Sequence, residues 1–182
     1  MNVRILGIDP GTVVLGYGII ELKDTLPRLV ELNVLHLQSL PSQQEKLREI
    51  FLRVQELIEH HQPTALSIEA PFYGKNAQSM HKLGRAQGVA IAAAILMGLE
   101  IHEFSPKTIK KAVTGNGNAS KEQVAGMLES LLAFNFNTRH FDATDALAAA
   151  LCLANQLSTP DKIQGPASSW KKFARQHPDR ML

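Results

Sequence analysis

The stretch "ILGIDPGTVVLGYGII", residues 5–20, runs an apolar segment into a carboxylate, Asp9, breaks at Pro10-Gly11, and starts a second apolar segment at once. Aliphatic runs of this length on either side of a Pro-Gly pair read as buried strands joined by a turn. A charge at the tip of a buried strand is costly unless it is paired, hydrogen-bonded or bound to a metal. Asp9 therefore marks either the edge of a core or a site.

The rest of the chain supplies the frame. Residues 3–9 read as the first strand, and 15–22 and 29–37 as two more, giving a three-stranded antiparallel meander. Leu47, Ile50, Phe51, Val54, Leu57 and Ile58 then recur at helical spacing, with Ser42 as the cap, Pro63 as the stop and Leu52 off the stripe. "ALSIE", residues 65–69, is a short strand that also ends on a carboxylate. An alanine-rich helix over 76–98, a last strand at "IHEF", and a short helix opened by Pro106 follow. After the loop "TGNGNAS" come helices near 120–132 and 142–157. A meander, then helix–strand–helix–strand, then helices, is the pattern of an α/β fold with a mixed five-stranded sheet. Past about residue 158 the composition shifts to Ser, Pro, Lys and Arg. One folded domain is expected over 1–157 and a basic surface tail, free to move, over 158–182.

Composition bounds the function. The 182 residues are 45% hydrophobic and 20% charged, enough to bury a core, and only 5% are aromatic, so aliphatic residues must fill it. The net charge of +2 admits a polyanionic partner without requiring one. Its distribution is more telling. Residues 70–99 carry Lys75, His81, Lys82 and Arg85 with no acid, and 107–121 add Lys110 and Lys111, again with none. The single Cys152 rules out a disulfide framework within one chain. The start, "MNVRILGID", lacks a secretory signal, and "GVAIAAAILMGL" is too short to span a bilayer. These features lead us to expect a soluble cytoplasmic protein with no membrane partner.

Two strands ending in carboxylates, Asp9 and Glu69, would bring both acids to one end of the sheet if the strands are neighbours, and ligands of open α/β sheets bind outside strand ends. Taken singly, each acid is equally well explained as the first polar residue after a strand. Asp142 and Asp145 open the apolar segment "RHFDATDALAAALCLA" three residues apart, on one helix face. Alone, this pair reads more readily as a helix-capping arrangement. Together the four acids suggest a divalent-cation site. Magnesium takes oxygen ligands and keeps several waters, and two such ions about 3.5–4 Å apart can activate a water and stabilise the leaving oxygen of a phosphodiester. Zinc fits poorly, because there is no Cys pair and His60 and His61 are adjacent on a helix. A nucleophile elbow, a phosphate-binding P-loop and a dinucleotide fingerprint are all lacking.

Four blocks, "ILGIDPGTVVLGYGII", "IEAPFYGKNAQSMHKLGRAQGVAIAAA", "KKAVTGNGNASKEQV" and "DATDALAAAL", resemble the RuvC family of Holliday-junction resolvases, in order and over roughly residues 3–155. Related ribonuclease-H-like nucleases share the first and last blocks; the middle two make the likeness specific. The resemblance implies a ribonuclease-H-like fold, a homodimer, and magnesium-dependent nicking of two opposed strands of four-way junction DNA in recombination and repair. It also implies a branch-migration complex as partner. By motif, the catalytic and metal-holding acids fall on Asp9, Glu69, Asp142 and Asp145. Asp9 is expected to bridge two Mg2+ ions, for which Mn2+ can substitute; Glu69 and Asp145 would each hold one, and Asp142 would complete the shell. The resemblance places DNA contacts on Lys110 and Lys121, and on Phe72 as an aromatic near the junction centre. Lys75 of the acid-free stretch joins them as a candidate. Solvated surface lysines and simple packing of Phe72 are the plainer readings of the same residues. Ala70-Pro71 departs from the family pattern beside Phe72. Gly84 and Gly88 would allow close helix approach, in a dimer or only in the core. Three alternatives stay open: a ribonuclease-H-like nuclease of structured RNA, an actin-like ATP-binding domain, and a non-catalytic junction-binding module.

Overall fold

The computed structural model describes residues 3–70, 77–134 and 141–158. Five strands form one mixed sheet in the order β3-β2-β1-β4-β5. Strands β1 (Val3–Asp9), β2 (Val14–Lys23) and β3 (Leu26–His36) make the antiparallel meander. Strands β4 (Ala65–Glu69) and β5 (Glu100–Phe104) add to it in parallel, β4 directly beside β1. The helices are α1 (Gln43–His61), α2 (Ala77–Leu96), α3 (Pro106–Thr114), α4 (Lys121–Leu132) and α5 (Phe141–Leu157). The mixed α/β sheet expected from the sequence is the one observed.

The meander's second turn differs from expectation. It is the pair Asp24-Thr25, both with left-handed backbone (φ 52° and 69°), linking Lys23 directly to Leu26. Two-residue hairpins favour this geometry, but usually with glycine. Without that signal the sequence alone places the start of β3 three residues late. A bulge between Ile19 and Ile20 leaves Val30 without a partner across the pair, and its side chain is exposed. Helix α1 starts as expected: Ser42 accepts from the Glu45 amide, and the Glu45 carboxylate accepts from the Ser42 amide in return.

The two faces of the sheet follow from residue parity. Along β1, Leu6 and Ile8 pack towards α1 and α2. Ile5 and Gly7 turn the other way, towards α3, α4 and α5. On β4, Leu66 and Ile68 join the first face and Ala65 the second. Ser67, fully buried on that second face, donates from Oγ to the Ala149 carbonyl of α5 at 2.6 Å. Helix α5 is apolar all round, with an unbroken buried run from Ala146 to Ala154, as a helix within a core must be.

Glycine sets how close α5 comes. A Cβ on Gly7 would lie 2.1 Å from the Ala146 carbonyl oxygen, and one on Gly16 would lie 1.9 Å from the carbonyl oxygen of Asp142. Both are backbone collisions that no side-chain movement relieves. Gly7→Ala should therefore cost about 2–4 kcal/mol in chemical denaturation. Gly126→Ala, in open space on α4, should be neutral or gain up to about 1 kcal/mol.

Candidate active site

Parity carries the acids to the same face. Asp9 continues the Ile5–Gly7 series and Glu69 the Ala65–Ser67 series, and Ile8 is paired with Ile68, so the two carboxylates leave adjacent strands side by side. Above them lies the first turn of α5, which begins at Phe141 and so holds Asp142 inside the helix. Asp145 follows one turn on, and the Gly16 contact fixes this turn against β2.

The electrostatics register this convergence. Burial pushes the Asp9 carboxyl well above the ordinary carboxylate range, and the charges of Asp145, Glu69 and Asp142 push it further. Glu69 is raised by burial and then by Asp145, against the pull of Lys121 and Lys110. Such a cluster favours proton uptake or cation capture.

One cation is built in. Lys121 donates from Nζ to Asp145 Oδ2 in a short ion pair. Burial disfavours its charge, but the Asp145 hydrogen bond and the charges of Asp145, Asp9 and Asp142 outweigh this and raise the ammonium above its usual range. Lys121 is the first residue of α4, capped by Ser120. A positive charge there opposes the helix dipole, so the acids across the cleft, not the helix, account for its placement. The motif assigns Lys121 to DNA and gives no hint of the acids; sequence distance hides the contact, 24 residues along the chain. Lys110 lies on α3 with its field reaching Glu69. A cavity of about 380 Å3 opens beside it, lined by Ser105, Pro106, Lys107, Lys110 and Gly117. Phe72 and Lys75 lie outside the described residues.

The donor chemistry suits a hard divalent cation: the converging groups are carboxylates. Among the described residues, no three His, Cys, Asp or Glu side chains stand ready-made around a metal position. The fit therefore lies in donor type, placement and mutual repulsion rather than in finished coordination. His60 and His61 meet edge to face with ring centres 4.6 Å apart, but His61 is committed to Glu31, Nε2 to Oε2 at 2.6 Å.

Residues 5–153 match the family model "Crossover junction endodeoxyribonuclease RuvC". The chain belongs to the RuvC family. A RuvC from Cytophaga hutchinsonii is 50% identical over 177 residues, covering 97% of this chain and 87% of its own. One from Porphyromonas gingivalis is 46% identical, covering 97% and 96%. Among solved structures, Thermus thermophilus RuvC in complex with a Holliday junction substrate aligns with a TM-score of 0.80 at 30% identity, over 86% of this chain and 95% of that one. The fold is thus the ribonuclease-H-like fold of RuvC. No described helix is long and apolar enough to cross a membrane.

Because the folded state holds Asp9 protonated to higher pH than the unfolded chain does, the stability that this confers is full at low pH and is lost as pH rises through the raised pKa. Asp9→Asn, neutral throughout, escapes that loss. In chelator it should melt above the wild type near pH 8, and the difference should close as the pH falls into the ordinary carboxylate range. Thermal unfolding across that range checks this, and equal melting points at every pH would contradict it.

Proposed function

We propose that this chain is a divalent-cation-dependent endodeoxyribonuclease that resolves four-way DNA junctions by paired, symmetric nicks in recombination and repair. The observation that carries this reading is the placement of Asp9 and Glu69 on adjacent strands beneath the acidic first turn of α5, in a chain that is 46–50% identical to named RuvC proteins. Asp9, Glu69, Asp142 and Asp145 would hold the cations, two per site, Mg2+ by preference and Mn2+ as a substitute. When bound, such ions supply Lewis acidity to the scissile phosphodiester and a means of activating water. The chain's own groups do the rest. The acids fix where the cations sit. Lys121 neutralises Asp145 and, beside the same cluster, offers an ammonium to a phosphate. Lys110 and the basic notch next to it follow the backbone without reading bases. Phe72 is proposed to stack on a base near the junction centre and Lys75 to contact phosphate.

A two-fold protein suits a junction cut on two opposed strands. Helix α2 offers the face for a second copy. Ile95 and Leu96 are exposed on it, at 59% and 71%, and a Cβ added at Gly84 or Gly88 would meet no atom of the described residues within 4 Å. Among the described residues, then, the two glycines serve no core contact. Burying such a face against its own copy would remove apolar surface from water, the main favourable term in association. A branch-migration complex is the further partner that this reading carries, the cytoplasm its setting, and residues 158–182 a basic tail outside the nuclease domain.

Asp9→Asn, Glu69→Gln and Asp145→Asn should each lower the cutting rate on four-way DNA by about 10³-fold while leaving junction binding in place. The wild type should cut four-way DNA in preference to linear duplex and to structured RNA. Wild-type cutting by the acid variants would contradict the reading, and a preference for RNA would replace its substrate. Gly84→Trp should sediment as a monomer with its fold retained; an unchanged sedimentation coefficient would remove α2 from the interface.

A further inference from the structure

Gln87 is the one polar residue among the buried positions of α2, which are otherwise Ala86, Ala90, Ala93 and Ala94. It is 5% exposed. A buried amide is costly unless its hydrogen bonds are met, and the Gln87 amide nitrogen finds its partners at the C-terminal ends of β4 and β5. Its Nε2 donates to Glu103 Oε2 of β5 at 2.8 Å, and it lies 3.5 Å from the backbone carbonyl oxygen of Glu69. The same exit is pinned from the other side, where the Ala70 amide donates to the Phe104 carbonyl at 2.8 Å. Packing alone does not call for an amide here, since an apolar side chain of the same length would fill the space between helix and sheet. The bond to Glu103 holds the amide plane, and the held amide faces the peptide that carries the Glu69 carboxylate.

From this arrangement we infer that Gln87 is a positioning residue for Glu69: it fixes the last peptide of β4, and through it the carboxylate, from the inner side of α2. The inference rests on the proposed role of Glu69 as a cation-holding acid. Groups that orient a ligand side chain without touching the metal typically matter at the level of about 10–100-fold in affinity or activity. Here the lever is the backbone of the ligand itself, so the lower end of that range is expected. Gln87 also shares its stretch of α2 with the exposed Gly84 and Gly88, so the carboxylate is oriented from an element that the proposed second copy would hold still.

The test is Gln87→Met, which keeps length and loses the donors. The metal-free full-length protein is titrated with Mn2+ alone by calorimetry, and junction cutting is measured across Mn2+ and DNA concentrations. Mn2+ affinity should fall about 10-fold, and the Mn2+ midpoint for cutting should rise in step. kcat at a fixed, subsaturating Mn2+ concentration should fall while KM for the junction and the melting temperature stay as in the wild type. A folded Gln87→Met protein with wild-type Mn2+ affinity and midpoint overturns the inference. Should that variant fail to fold, Glu103→Ala decides, since Glu103 is exposed and its removal releases the amide from outside. A smaller shift in the same direction supports the inference, and no shift overturns it. Glu69→Gln in the same titration separates the two levels of the reading. If it keeps wild-type affinity and cutting, the role given to Glu69 fails and Gln87 falls with it. If it loses both while Gln87→Met loses neither, only the inference about Gln87 fails.

Discussion

Helix α5 is seated on a glycine floor, and the geometry of the site follows from that contact. Gly7 and Gly16 let carbonyl oxygens of the helix approach to distances that any side chain would block, and Ser67 ties β4 to the same helix through the Ala149 carbonyl. Three strands are thereby locked in depth and rotation against one rod that is buried without a break from Ala146 to Ala154. The acidic first turn of that rod comes to rest over the ends of β1 and β4. Because interiors are close-packed and resist small changes of volume, the relative placement of Asp9, Glu69, Asp142 and Asp145 is a property of the core and does not depend on loops.

That placement works against stability. Four carboxylates around one cleft repel, and the folded state responds by raising the pKa of Asp9 and Glu69 and by recruiting Lys121 across to Asp145, from a helix start where a cation is otherwise unfavourable. A protein selected for stability alone would be better served by neutral residues at these positions. The cost is intelligible if the cluster exists to capture cations and set them against a phosphodiester, which is the activity proposed for this member of the RuvC family.

Much of this is legible in the sequence, for a definite reason. The period of two along "ILGID" and "ALSIE" fixes which residues share a face, and the spacing of three between Asp142 and Asp145 puts both on one side of a helix. Local pattern thus yields the strands, the helices and the sheet class. Of the acids it gives only a candidate set, since each strand-end acid alone reads equally well as a cap and the Asp142–Asp145 pair more readily so, and it is the resemblance to the RuvC blocks that assigns them a shared role. Contacts between distant segments with no local signature are not readable. Lys121 looks like any basic residue at a helix start, and only the packing of α4 against α5 brings it to Asp145. Gln87 sits in an alanine-rich helix with nothing in its neighbours to say that it faces the end of β4. The Asp24-Thr25 hairpin escapes a sequence reading because its left-handed residues are not glycines.

If acids from three separated segments form one cation-binding centre at the edge of the sheet, anomalous diffraction from crystals of the full chain grown with Mn2+ will locate it. Manganese density is expected between Asp9, Glu69 and the first turn of α5, with carboxylate oxygens as the protein ligands. Crystals with manganese density elsewhere and none within that cleft would contradict a shared centre.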